Sequence, residues 1–198
     1  MKSPAVIALD LGGTKLAAAL FSANGRGLEK RRVVLKSDTA DAVGQLIVRQ
    51  ITRLQEAAAK RDVEVAAVGI CVPGIADPDS GRVWAPNLPG WSDYPLRSEI
   101  RRALATNEVK VVVESDRAAS ILGEAWQGAA RGYRNAVFLA VGTGIGAGIL
   151  VDGRVLHGAH NIAGAVGWLA LERPFKRKYI DRGCFETYAS GDGIARTA

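Results

Sequence analysis

Two glycine-rich turns and one strand-terminal acid hold most of the chemistry that can be read from this chain. "DLGGTK", Asp10 to Lys15, sets an acid, two glycines, a threonine and a lysine between two apolar runs. Glycines let backbone N–H groups approach an anion with no Cβ in the way, and a row of N–H groups makes an anion nest. Lys15 can pair with phosphate oxygens, Thr14 can donate its hydroxyl, and Asp10 can hold Mg2+ through water. "GTGIGA", Gly142 to Ala147, is a second turn of the same kind. "VKVVVESDRAAS" delivers Asp116 where a strand ends and a helix begins, and the positive helix terminus favours its ionised form. From there it can accept a proton from a hydroxyl attacking a γ-phosphate. Each feature also has a plain structural reading, as a tight turn or a helix N-cap.

Two familiar nucleotide motifs do not apply. The P-loop needs G-x-x-x-x-G-K-[ST] opening a helix, whereas "DLGGTK" leads into another strand. "GTGIGA" satisfies G-x-G-x-x-G/A, but "ILVDGR" follows it as strand and hairpin, which excludes a dinucleotide fold.

The elements that must position these residues follow from periodicity. "AVIALDLG" and "LAAALFSA" read as buried strands, Asn24–Gly25 as a type I′ hairpin turn, and "RRVVLKSD" as the returning strand. From Asp41, a plausible N-cap, Val43, Leu46, Ile47, Ile51, Leu54 and Ala58 fall at helical spacing. "VAAVGICVPG" is a further strand, with Cys71 expected as a small core residue, and "ADPDSGRVWAPNLPGW" a hairpin and loop. "YPLRSEIRRALA" reads as a helix, "VKVVVES" as a strand, and "RAASILGEAWQGAARG" as a helix closed by Gly132. "LDLGGTKLAAALFSANGRGL" and "LAVGTGIGAGILVDGRVL" then share one order of apolar run, Gly-Thr turn, apolar run and Asn/Asp-Gly-Arg turn. Such a repeat implies two related lobes facing a cleft, divided at 1–114 and 115–198.

Composition bounds the rest. The 198 residues are 48% hydrophobic, with no apolar run long enough to span a bilayer and a poor signal peptide. Two cysteines, Cys71 and Cys184, make no disulfide framework, so a cytoplasmic protein is expected. The net charge of +6 raises nucleic acid as a partner, but the basic residues are scattered and no recognition motif accompanies them. Nucleic-acid binding is the weaker reading.

"DLGGTK", "GICVPGIADPDSGRVWAPNLPGW", "SDRAASILGEAWQGAARGY", "VGTGIGAGILVDGRVLHGAHNIAG" and "GCFETYASG" together resemble successive landmarks of the ROK family of bacterial sugar kinases and sugar-responsive repressors. The resemblance implies an α/β, ribonuclease-H-like (actin-like ATPase) fold of two related lobes around a cleft. It implies ATP and Mg2+ as cofactors and a hexose or amino sugar as substrate. Asp10, Gly12, Gly13, Thr14 and Lys15 would form one phosphate motif, Gly142, Thr143, Gly144 and Gly146 the other, and Asp116 would be the catalytic base. Asn87 would lie along the sugar pocket, Glu186 in "GCFE" matches a sugar ligand, and a homodimer is usual. The repressor branch carries a winged-helix domain in front of this region, so a kinase-type member is expected. The chain ends in "ETYASGDGIARTA", which reads as a helix, and its second lobe is expected to be incomplete.

The chain also departs from the family pattern. Ser115 stands where the family has Asn before the catalytic Asp. Ala165-Val-Gly-Trp168 replaces Glu-x-Gly-His, removing a sugar ligand and a residue that contacts sugar and ligates a structural zinc. Trp168 can instead stack on a sugar face or repack the wall. At the zinc cysteines stand Arg177, Tyr179 and Cys184, and one thiolate cannot hold a tetrahedral zinc. No zinc is expected. His157 and His160 read as loop or packing residues. These losses motivate a second reading, a catalytically impaired sugar- or nucleotide-binding remnant acting as a sensor or interaction module.

Overall fold

The computed structural model describes residues 2–35, 39–104, 106 and 108–197. The chain divides into two compact units, Met1–Asp116 and Arg117–Ala198.

Along the first unit run strands β1 (Ser3–Leu11), β2 (Lys15–Ser22) and β3 (Gly27–Val34), helix α1 (Ala40–Lys60) and strand β4 (Val63–Val72). The short strands β5 (Ile75–Ala76) and β6 (Val83–Trp84), helix α2 (Leu96–Leu104) and strand β7 (Lys110–Ser115) complete it. Helix α3 (Asp116–Gln127) follows directly. The sheet order is β3-β2-β1-β4-β7, with β1, β4 and β7 parallel and the β1-β2-β3 meander antiparallel.

Alternation decides which residues face the core. Ala5, Ile7, Leu9 and Leu11 of β1, Val68, Ile70 and Val72 of β4, and Val111 and Val113 of β7 are all buried in one cluster. α1 adds Val43, Ile47, Ile51, Leu54 and Ala58 to that cluster, and α2 adds Leu96, Ile100 and Leu104. Both helices therefore cover the same sheet face. Strand side chains have a period of two, so Asp10, Cys71 and Glu114 point to the opposite face. Gln50 is the one charged or polar α1 side chain buried among the described residues, and its amide oxygen accepts from Arg31 Nε at 3.1 Å.

Three local expectations need correction. The β2–β3 connection is not a type I′ turn: Gly25 has a positive φ of 83° and Asn24 does not. Asn24 Oδ1 instead accepts from Ser22 Oγ at 2.6 Å and Arg26 N–H at 3.2 Å, so the asparagine serves the turn with its side chain. α1 begins from Thr39, not Asp41, which lies in the first turn where its charge faces the positive helix end. α3 stops at Gln127, before Gly132, because Glu124 Oε2 caps Ala129 N–H at 2.8 Å and turns the chain.

The second unit carries strands β8 (Ala136–Val141), β9 (Ile145–Val151) and β10 (Arg154–Val155), an antiparallel sheet in the order β10-β9-β8. Here the Asp-Gly expectation holds, with Asp152 at φ 51° and Gly153 at φ 77°. Two 3-10 turns, Val166–Trp168 and Arg177–Tyr179, precede helices α4 (Cys184–Ala189) and α5 (Gly191–Thr197). The meanders repeat each other, β1-β2-β3 against β8-β9-β10, with three-residue turns 12–14 and 142–144 at equivalent places. No helix among the described residues is long and apolar enough to cross a membrane.

Candidate active site

In the first unit the carboxyl ends of β1, β4 and β7 bring acids together. Asp10 and Cys71 are register partners across β1 and β4, and Cys71 and Glu114 are partners across β4 and β7. The Cys71 thiol donates to Asp10 Oδ1 at 3.4 Å. Burial, the Asp10 charge and hydrogen bond, and the nearby Asp116 charge push this thiol up to about 12. It therefore stays protonated at neutral pH and acts as a donor, not a nucleophile. Cys71 was expected in the core; it is half-buried on the face opposite the helices, because Val68, Ile70 and Val72 take the core parity of β4. Asp116 is the first residue of α3, immediately beyond β7, and Ser115 ends that strand. The outer ends of parallel strands are where ligands bind in open α/β sheets.

The Gly12–Thr14 turn adjoins Asp10. Its backbone is fixed by Gly12 N–H to Lys15 O at 2.9 Å and Leu35 N–H to Thr14 O at 2.9 Å. A Cβ built on Gly13 meets nothing within 4 Å, and its φ is not positive, so neither packing nor conformation requires glycine there. The space over Gly13 is open, and Lys15 follows the turn as the first residue of β2. Asn87 lies exposed in the turn after β6, which is closed by Leu88 N–H to Ala85 O at 2.9 Å.

In the second unit Gly142, Thr143 and Gly144 form the β8–β9 turn, all exposed. Gly142, like Gly13, has nothing within 4 Å of a Cβ position. Gly144 and Gly146 have packing reasons: a Cβ on Gly144 would stand 2.9 Å from Glu186 Oε2, and one on Gly146 2.9 Å from Arg117 Cδ. Glu186, on α4, accepts the Ile145 N–H at 2.8 Å. Trp168 is 56% exposed and lines a cavity of about 890 Å3 with Phe175, Tyr179, Ile180 and Cys184. His157 and His160 lie in the loop after β10.

The residues at the family's zinc positions do not fit a zinc ion. Arg177 and Tyr179 stand with the buried Cys184, and among the described residues no three His, Cys, Asp or Glu side chains cluster as metal ligands. A hydrogen-bonded network occupies this region. Glu172 Oε1 accepts from Lys176 Nζ and from Tyr188 Oη, each at 2.6 Å, and the Tyr179 and Tyr188 hydroxyls meet at 2.8 Å. Lys178 Nζ sits 4.4 Å from the Tyr188 ring centre. The bonds from Lys176 and Tyr188 hold the Glu172 carboxyl below its ordinary value. A carboxyl lowered on folding stabilises the fold above its unfolded pKa, and that contribution is lost as pH falls through the folded value. Glu172→Gln should therefore flatten the drop in melting temperature below about pH 4.3, the ordinary glutamate value, in thermal scans at stepped pH.

Sequence reasoning missed Glu114 and misplaced Cys71. The parity of "VGICV" and "KVVVES" relative to their buried valines carried the signal, once β4 and β7 are paired.

The strand order and the repeated meander define a ribonuclease-H-like, actin-like ATPase fold, shared with solved ROK sugar kinases. The ROK family profile matches residues 6–198, and the chain belongs to that family. A glucokinase of Thermotoga maritima is 34% identical over 194 residues, 96% of this chain and 59% of its own length. An N-acetyl-D-glucosamine kinase of Pectobacterium atrosepticum is 32% identical over 196 residues, 93% of this chain and 62% of its own. A solved ROK family transcriptional regulator, a homologue of the E. coli MLC protein, is similar at TM-score 0.85 and 27% identity, over 98% of this chain and 49% of its own. The chain thus spans about three fifths of the length of these two curated relatives.

Proposed function

We propose that this chain carries out ATP-dependent phosphorylation of a hexose or amino sugar. The observation that carries the reading is the pair of Gly-rich turns left open to an anion at Gly13 and Gly142, with Asp10 and Asp116 at the strand ends. Gly12, Gly13, Thr14 and Lys15 would hold phosphate oxygens in the first unit, and Gly142, Thr143 and Gly144 in the second. Asp10 would hold Mg2+ through water, and the ion, when bound, neutralises phosphate charge. Asp116 takes the proton of the attacking sugar hydroxyl. Asn87, Ser115, Trp168 and Glu186 would contact the sugar. The relatives named above as glucokinase and N-acetyl-D-glucosamine kinase support both sugar classes as candidates. Calorimetric titration tests the binding step: Mg-ADP and at least one hexose or amino sugar should each bind the chain. Failure of every nucleotide to bind would sink the reading.

A second reading, a sensor that binds sugar or nucleotide without turnover, is favoured by Ala165 and Trp168 at the sugar-contact positions and by the likeness to a regulator. Thermal stabilisation by a sugar with no ADP release would select it. We also propose that the Glu172–Tyr188 network replaces the zinc. A strong chelator should then leave the melting temperature unchanged, and elemental analysis finding one equivalent of zinc would contradict it. A cytoplasmic homodimer completes the proposal, with sedimentation velocity as its check.

A further inference from the structure

Trp168, Phe175 and Ile180 are large apolar side chains that stay 56%, 70% and 55% exposed, and all three line the cavity of about 890 Å3 in the second unit. That volume is in the range of small-molecule sites. Tyr179 and Cys184, both buried, form its deeper wall. The lining is held from behind. Phe175 meets the Tyr179 ring edge-on with centroids 5.9 Å apart, and a Cβ on Gly183 would stand 2.6 Å from Trp168 Cα. The polar groups of the wall are committed to one another or to neighbours: Glu172 accepts from Lys176 and Tyr188, and the Tyr179 hydroxyl meets that of Tyr188. Arg173 also lines the cavity, but it is exposed and can keep its guanidinium in water. What the cavity offers a ligand is therefore mainly carbon surface.

This cavity adjoins residues read above as sugar contacts. Trp168 belongs to both, and its neighbour Gly167 lies against Glu186, since a Cβ there would stand 2.8 Å from Glu186 Oε2. Oε2 accepts the Ile145 N–H, which leaves Oε1 for a sugar hydroxyl. We propose that the cavity is a subsite for an apolar substituent carried by the sugar, an N-acyl group longer than acetyl or an alkyl or aryl aglycone, with Trp168 as the wall shared by ring and substituent. The inference rests on reading Trp168 and Glu186 as sugar contacts. A free hexose would leave Phe175 and Ile180 in water, whereas an apolar arm removes their surface and its own from water together. The indole and phenyl rings suit flat or extended carbon groups.

Calorimetric titration of the whole chain with two ligand series tests this. One series is glucosamine N-acylated with acetyl, butanoyl, hexanoyl or benzoyl groups; the other is glucose beside its butyl, hexyl and phenyl glycosides. Affinity should rise roughly threefold per added methylene in at least one series, somewhat below the full gain from burying a CH2 because the cavity is open. The series that responds shows which sugar position faces the cavity. Phe175→Ser and Ile180→Ser, both at exposed positions, should keep the wild-type melting temperature and the affinity for the shortest ligand while flattening the rise. Hexanamide, the same arm without a sugar, should bind far more weakly than N-hexanoylglucosamine. Glucose or N-acetylglucosamine binding with no rise in either series overturns the subsite and leaves the kinase reading intact. A rise that persists in both variants, or hexanamide binding as tightly as the acylated sugar, also overturns it. A rise that the variants flatten, with no sugar-dependent ADP release, upholds the subsite and removes only the kinase reading.

Discussion

Asp116→Asn should reduce sugar-dependent ADP release by about 10^2- to 10^4-fold while leaving the fold and the affinity for Mg-ADP nearly unchanged. The range is what a positioned general base contributes. Asn is nearly isosteric and caps a helix start as well as Asp does, so α3 should form as before. What the substitution removes is the ability to take a proton. Asp116 stands directly after β7, exposed, and close enough for its charge to act on the Cys71 thiol beside Asp10. Steady-state rates with melting temperature as the control make the measurement. A variant that retains its rate would move the base elsewhere, and Glu114, on the same sheet face, would be the next residue to replace.

The second large effect separates glycines needed for packing from glycines needed for a ligand. A Cβ on Gly148 would overlap the Arg117 carbonyl oxygen and stand 2.8 Å from Ile121 Cβ, where β9 lies against α3. Neither partner is the free end of a flexible chain, so the helix must move off the strand. Gly148→Ala should therefore destabilise the protein by about 1–3 kcal/mol, as overpacking does. Gly142→Ala meets no atom within 4 Å and should leave stability unchanged, or raise it slightly by restricting the unfolded chain. Its effect should appear in binding, as a weaker affinity for Mg-ADP. Denaturant melts and calorimetry on the two variants give the comparison. A Gly142→Ala protein that binds nucleotide as tightly as wild type would mean that the open space at the turn serves no ligand.

The sequence made the two glycine turns, the meander repeat and Asp116 legible because each depends on local rules. Turn residues, strand alternation and a helix start can all be read within about ten residues. The hairpin at Asp152–Gly153 needs positive φ at both central positions, and both residues adopt it. The hairpin at Asn24–Gly25 shows the limit of that rule, since the same signal yields a longer turn when the asparagine side chain bonds its neighbours. What could not be read was whatever depends on which strands pair. Cys71 and Glu114 reach the Asp10 side only because β4 inserts between β1 and β7. Likewise, the Glu172–Lys176–Tyr188–Tyr179 network could not be foreseen. It joins Glu172 in a loop to Tyr188 on α4, a side-chain contact set by the tertiary fold and not by any local pattern.

The most direct test of the central claim is transfer of labelled γ-phosphate from Mg-ATP to sugar by the 198-residue chain, followed by mass spectrometry across a panel of hexoses and amino sugars. The account predicts a labelled sugar phosphate with at least one member of the panel, and none with Asp116→Asn. A folded chain that binds nucleotide and sugar together yet labels no sugar would contradict it, and would leave a binding protein in place of a kinase.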